Sequence, residues 1–150
     1  MMSSFKKIKL GVLSCFLFLA LQGYAQDTPE TLIQKFFDDY EQQGSSMALD
    51  NLYETNPWMQ GATEAIGNLK EKMNTLTEEF VGKCHGYDLI AKKEVSSSYV
   101  LFSYLAKYDR QPIRFTFQFY KPADTWKIYS FKYDGNMDTE LEESVRLDKL

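Results

Sequence analysis

The amino-acid order predicts an α+β domain in which helices precede a curved, four-stranded antiparallel meander. Two patterns predict it. Up to about residue 80, apolar side chains return every three or four positions, and from Tyr87 onward they return every second position. Helix-period sequence followed by strand-period sequence is the order of an α+β domain.

Ahead of the helices, Lys6, Lys7 and Lys9 precede an apolar run from Leu10 to Leu21, and Gly23 and Ala25 lead into polar Gln26-Asp27-Thr28. A cationic start, an apolar middle and small residues before a polar boundary are the parts of a secretory signal peptide. Residues 1–25 are therefore expected to be removed, leaving 26–150 as a single domain in the periplasm or outside the cell. The apolar run is too short for a comfortable bilayer span, so no membrane anchor is expected after cleavage. Val12-Leu13-Ser14-Cys15 faintly resembles a lipidation box, but Phe16-Leu17-Phe18-Leu19 carries the apolar stretch on past the cysteine, against that reading. Loss of Cys15 with the leader leaves Cys84 alone, so the domain must hold together by packing without an intramolecular disulfide. Its length suits one hydrophobic core.

The chain carries 17 basic and 21 acidic residues, and three of the lysines belong to the leader. An acidic surface argues against general nucleic-acid binding and against adhesion to anionic lipid, both of which need clustered Lys and Arg.

No repeat, low-complexity tract or Gly/Ser linker interrupts residues 26–150. Thr28-Pro29-Glu30 is a helix start, with a capping hydroxyl, a proline in the first turn and an acid beside the positive end of the helix. Leu32, Ile33, Phe36, Phe37 and Tyr40 share one face of this helix, and Gly44 stops it. A short second helix after Ser46 has Met47, Leu49, Leu52 and Tyr53 as its apolar set, and Asn56-Pro57 punctuates the chain behind it. In a third helix Ala62, Ile66, Leu69, Met73, Leu76 and Phe80 draw one continuous stripe that ends near Gly82.

Four strands follow, at Tyr87–Val95, Tyr99–Tyr108, the row Ile113, Phe115, Phe117 and Phe119, and Thr125–Tyr133. Turns at residues 95–98, 109–112 and 121–124 set a register. Leu89 then faces Tyr104 and Ala91 faces Phe102; Ala106 faces Phe115 and Tyr104 faces Phe117; Phe117 faces Ile128 and Phe119 faces Trp126. These pairings share one apolar face, which a slip of one residue would destroy. The stripe of the third helix is the expected cover for that face.

Helices followed by a curved antiparallel sheet resemble the cone-shaped nuclear transport factor two-like fold, shared with ketosteroid isomerases and polyketide cyclases. The residues that carry the likeness are Ala48-Leu49-Asp50-Asn51-Leu52-Tyr53 running into Asn56-Pro57-Trp58, then Phe119-Tyr120-Lys121-Pro122 with Trp126. The resemblance spans about Pro29 to Asp134 and implies a cystatin-like cone of helices on a sheet. The isomerases use a carboxylate base opposite a Tyr/Asp pair, and no positions here match those roles, so no catalytic residue is carried over.

The residues themselves offer few chemical candidates, and no metal site or cofactor is expected. His85 is the single histidine and lacks the company of a metal cluster; it reads as a polar residue at the helix-to-strand junction. Cys84 beside it would point to the opposite face of an extended chain and reads as a small buried hydrophobe. Tyr87, Tyr104 and Tyr108 fall on the inner face and, with Trp126, form a candidate pocket for a small hydrophobic ligand. The competing reading is that each ring packs and each hydroxyl finds a rim or backbone partner. Ile90, Leu101, Leu105, Tyr129 and Phe131 fall on the outer face among Lys92, Arg114, Gln118 and Lys127. A homodimer could bury that face, or the C-terminal segment could cover it. Residues 137–150 are acidic, either a short helix or a frayed tail.

The leading function is thus a non-catalytic binding or interaction domain. One alternative is a small isomerase or dehydratase using Asp88, Glu94 or His85 at a cone opening, and another is a structural homodimer.

Overall fold

In the computed structural model the described residues are 27–59 and 61–147, so the leader, with its cleavage and lipidation expectations, lies outside them. Helix α1 (Pro29–Gln43) begins as its sequence dictates. The Thr31 N–H donates to Thr28 Oγ1 at 3.2 Å, and the Thr28 N–H donates to Thr31 Oγ1 at 2.9 Å, a reciprocal cap on two otherwise unpaired donors. Gly44, at φ 88°, ends the helix in a conformation that disfavours side chains, and α2 (Ser45–Glu54) starts at once. Asp39 ties the two helices together, accepting from Asn51 Nδ2 at 2.8 Å and Gln43 Nε2 at 2.9 Å. Ala48, Leu49, Leu52 and Tyr53 of α2 are buried, whereas Met47, expected among them, is exposed.

The third helix is shorter than its stripe suggests. After a 3-10 turn at Pro57–Met59, α3 covers Thr63–Met73, and a separate four-residue α4 holds Glu78–Val81. Asn74 and Thr75 stop α3 because their side chains compete for the backbone and for neighbours: Thr75 Oγ1 donates to the Lys72 carbonyl at 2.7 Å, and Asn74 Oδ1 accepts from Ser45 Oγ. Phe80 therefore leaves the stripe and is half-exposed, with the Arg110 guanidinium 5.1 Å from its ring centre. Gly67 costs ~1 kcal/mol against alanine in a helix interior. No atom lies within 4 Å of where its Cβ would stand, so close packing does not account for it.

Strands β1 (Cys84–Ser96), β2 (Tyr99–Tyr108), β3 (Pro112–Tyr120) and β4 (Lys127–Asp134) form an antiparallel meander in the order β1-β2-β3-β4, and α5 (Asp138–Leu147) follows. The inner face is the expected one, with Phe115, Phe117 and Phe119 completely buried. The register differs in three places. Between β2 and β3 it is displaced by two residues, so Tyr104 faces Phe115 and Phe102 faces Phe117, which preserves the buried face because side chains repeat every second residue. Along β1, Leu89 faces Tyr104 as expected, but a bulge at Ile90 places Ala91 opposite Ser103 and Lys92 opposite Phe102. Along β4, Gln118 pairs with Ser130 and Phe119 with Ile128, so Tyr129 is an extra residue. That bulge turns Phe131, expected outside, onto the inner face opposite Phe117; ahead of it the pairing is displaced by two residues, Phe119 facing Ile128, which leaves Trp126 beyond the paired residues.

The helix that covers the sheet is α1, not α3. Phe36 lies 5.1 Å from Phe117 and from Phe131 between ring centres, and Phe37 stacks on Tyr87 at 3.7 Å. Helix α3 leans on α2 instead, and Met73 is the one residue of α3 that is fully buried. The longest stripe on paper loses to the richest aromatic face, because burial scales with the area removed from water.

Candidate functional site

Two ladders of side chains meet along one side of the molecule. From α1 come Glu30, Gln34, Phe37, Asp38 and Glu41, spaced along one helical face; from β1 and β2 come Tyr87 and Tyr104. Between them lies a cleft of about 170 Å³ with an aromatic wall and an acidic rim. The Tyr104 ring meets Phe37 edge-on at 5.3 Å. Tyr87 stacks flat against the same phenyl ring, so its position is set by packing. Its hydroxyl is buried and finds no acceptor or donor in hydrogen-bonding geometry. The Cys84 thiol is close by but donates to the Gly86 carbonyl at 3.8 Å.

Behind this wall the Tyr40 and Tyr108 hydroxyls share a hydrogen bond of 3.0 Å. Burial pushes both Tyr87 and Tyr108 far above the ordinary phenol range; the neighbouring Cys84 adds to the effect on Tyr87, and Tyr40 adds to it on Tyr108. The sign of the linkage follows. A phenol raised in the folded state adds stability that is complete below the unfolded value, about 10, and is lost as pH climbs above it. Alkaline titration should therefore show phenolate absorbance of the buried tyrosines rising together with loss of the near-ultraviolet circular dichroism. Independent, non-cooperative ionisation in a still-folded protein would contradict this burial.

Of the four residues expected to line a pocket, the fold brings Tyr87 and Tyr104 to the cleft and sets Tyr108 behind them through Tyr40. Trp126 stands at the opposite end of the sheet, half-buried, with the Lys121 ammonium 5.0 Å from its ring. The α1 contribution was missed, although Glu30, Gln34, Asp38 and Glu41 recur at steps of four, four and three. Lys92 closes the edge of the inner face. The bulge at Ile90 turns it inward, where its ammonium sits 5.4 Å from the Phe102 ring and pairs with Glu30 at 3.0 Å and Glu94 at 2.9 Å. An inward-pointing lysine also discourages another strand from adding at β1.

The carboxylates and imidazole considered for acid–base work all turn to solvent. Asp88 pairs with Lys107 at 2.8 Å, Glu94 with Lys92, and His85 Nε2 donates to Asp109 Oδ1 at 2.7 Å; each of the three side chains is more than half exposed. The His85 hydrogen bond, then the Lys83 N–H, holds the Asp109 carboxyl below its ordinary range. His85 and Cys84 engage different partners, so they form no nucleophile–base pair. None of these groups sits in the water-poor cleft that such chemistry requires. No group of three or more metal-ligating side chains occurs among the described residues.

On the outer face Ile90, Leu101 and Leu105 are half-buried, Tyr129 is exposed, and Tyr99 meets Tyr129 edge-on at 5.8 Å. Arg114 is held by Asp134 at 3.0 Å and by Glu140 at 2.7 Å, which ties the first turn of α5 to this side of the sheet. Among the described residues no helix is long and apolar enough to cross a membrane. No protein-family model, curated protein or solved structure matches the chain.

Proposed function

We propose that the protein is an exported, non-catalytic binding domain of the nuclear transport factor two-like kind, acting in the periplasm or outside the cell on a small hydrophobic ligand. The cleft between α1 and the β1–β2 edge is its binding site. One observation carries the reading: the Tyr87 and Tyr104 rings stand with Phe37 along one wall of a cleft of about 170 Å³, an aromatic surface that a small hydrophobic ligand can cover. Helices ahead of an antiparallel meander support the family reading, and the lysine-led apolar leader supports export.

Tyr87→Phe retains the stack on Phe37 and is expected to raise stability by about 1–3 kcal/mol in denaturant unfolding. Tyr104→Ala removes one ring of the cleft wall and is expected to weaken retention of whatever the wild type captures in equilibrium dialysis against a metabolite mixture. A wild type that retains nothing, or a Tyr104→Ala variant that retains the same compound equally well, overturns the reading.

A homodimer through the outer face is favoured by the part-exposed apolar set Ile90, Leu101, Leu105 and Tyr129. Light scattering should then give twice the monomer mass, and a monomer at high concentration ends that proposal.

A further inference from the structure

Helices α2 and α3 flank a second space of about 340 Å³, twice the volume of the tyrosine cleft. It lies within the range of small-molecule sites, about 300–1,000 Å³. Tyr53 and Ile66 supply an apolar floor. The third element of the wall is bare backbone at Gly67.

Gly67 is not left-handed, and nothing lies within 4 Å of its Cβ position, so the groove wall is open there and a larger side chain would project into it.

The charges indicate what the groove accepts. Lys70 is bound to the Asp50 carboxylate, so these two cancel at the groove wall. Glu54 makes no hydrogen bond or ion pair among the described residues. An anion would meet a lysine already neutralised and an unpaired carboxylate. A neutral hydrocarbon would leave that carboxylate unused.

We infer that the α2–α3 groove binds a small lipophilic amine, its apolar body laid over Tyr53 and Ile66 against the backbone of Gly67 and its ammonium group at Glu54. This site is separate from the tyrosine cleft, and neither reading depends on the other.

The test is amide NMR titration of the purified protein with phenethylammonium and with its neutral counterpart 2-phenylethanol. The amine should shift the Glu54 and Gly67 amides and bind about two- to fivefold more tightly than the alcohol, the size of effect an ion pair with an exposed carboxylate supplies. Gly67→Leu should bind the amine at least about tenfold more weakly, its thermal midpoint equal or higher because leucine is the better helix former. Glu54→Gln should erase the preference for amine over alcohol. If Gly67→Leu loses its helical signal, Gly67→Ala decides instead: it should melt later and bind more weakly. Equal affinity for amine and alcohol, absence of shifts at Glu54 and Gly67, or undiminished binding by the folded Gly67 variant overturns the inference.

Discussion

Phe117→Ala is expected to remove about 3–5 kcal/mol of stability, the range for truncating a buried aromatic side chain. Domains of this kind possess about 5–15 kcal/mol in total, so the variant should be partly unfolded under mild conditions. The size of the loss follows from its neighbours. Phe117 is completely buried, and its ring lies 5.1 Å from Phe36, 5.8 Å from Phe37, 6.1 Å from Tyr104 and 5.0 Å from Phe131. Helix α1, the inner strands and the bulged β4 therefore all lose contact at one position, and no single one of them can collapse to fill the space. Phe80→Ala is the matched control. Phe80 is half-exposed, with the Arg110 guanidinium over its ring, so truncation should cost less than about 1 kcal/mol. Guanidinium unfolding of both variants checks the pair. Comparable losses would mean that the α3–α4 stripe, and not α1, covers the sheet.

Asn56→Ala is expected to cost about 1–3 kcal/mol, although Asn56 contributes almost no apolar area. Asn56 Nδ2 donates to the Ile128 carbonyl at 2.7 Å, and Thr55 Oγ1 accepts the Ile128 N–H at 3.0 Å. Thr55 in turn donates to the Leu52 carbonyl at 2.7 Å. The end of α2 thus grips both backbone groups of a fully buried residue in β4, next to the bulge at Tyr129. Removing Asn56 leaves a buried carbonyl without a donor. A double-mutant cycle with Thr55→Ala should show coupling of about 0.5–3 kcal/mol, because both side chains position one residue. Additive losses would show that the two bonds act independently. Asn56→Asp supplies a pH test. At neutral pH its carboxylate cannot donate to the carbonyl, whereas a protonated carboxyl can, so this variant should gain stability relative to wild type as pH falls through the carboxyl range.

The limits of sequence reading here are specific. The start of α1 could be read because Thr28, Pro29 and Glu30 act within one turn. The row from Ile113 to Phe119 could be read because alternation is a local property of a strand. The end of α3 could not, since Asn74 is recruited by Ser45 from another helix. Neither could the bulges, because one extra residue in β4 inverts the inside–outside assignment behind it, and the benefit of doing so is the contact between Phe131 and Phe36 across the core. The candidate site divides in the same way. Tyr87 and Tyr104 belong to the legible inner face, while Glu30, Phe37 and Glu41 join them only because α1 is the covering helix.

The amino-acid order by itself determined that helices come first, that four hairpin-linked strands follow, and that one face of those strands is aromatic and buried. These outcomes depend on steric and solvation preferences acting over a few neighbouring residues. The choice of covering helix, the offset between strands and the presence of a cleft were decided by tertiary structure alone. Each is a competition among distant surfaces for the same buried area, and its winner is settled by packing between residues far apart in the chain.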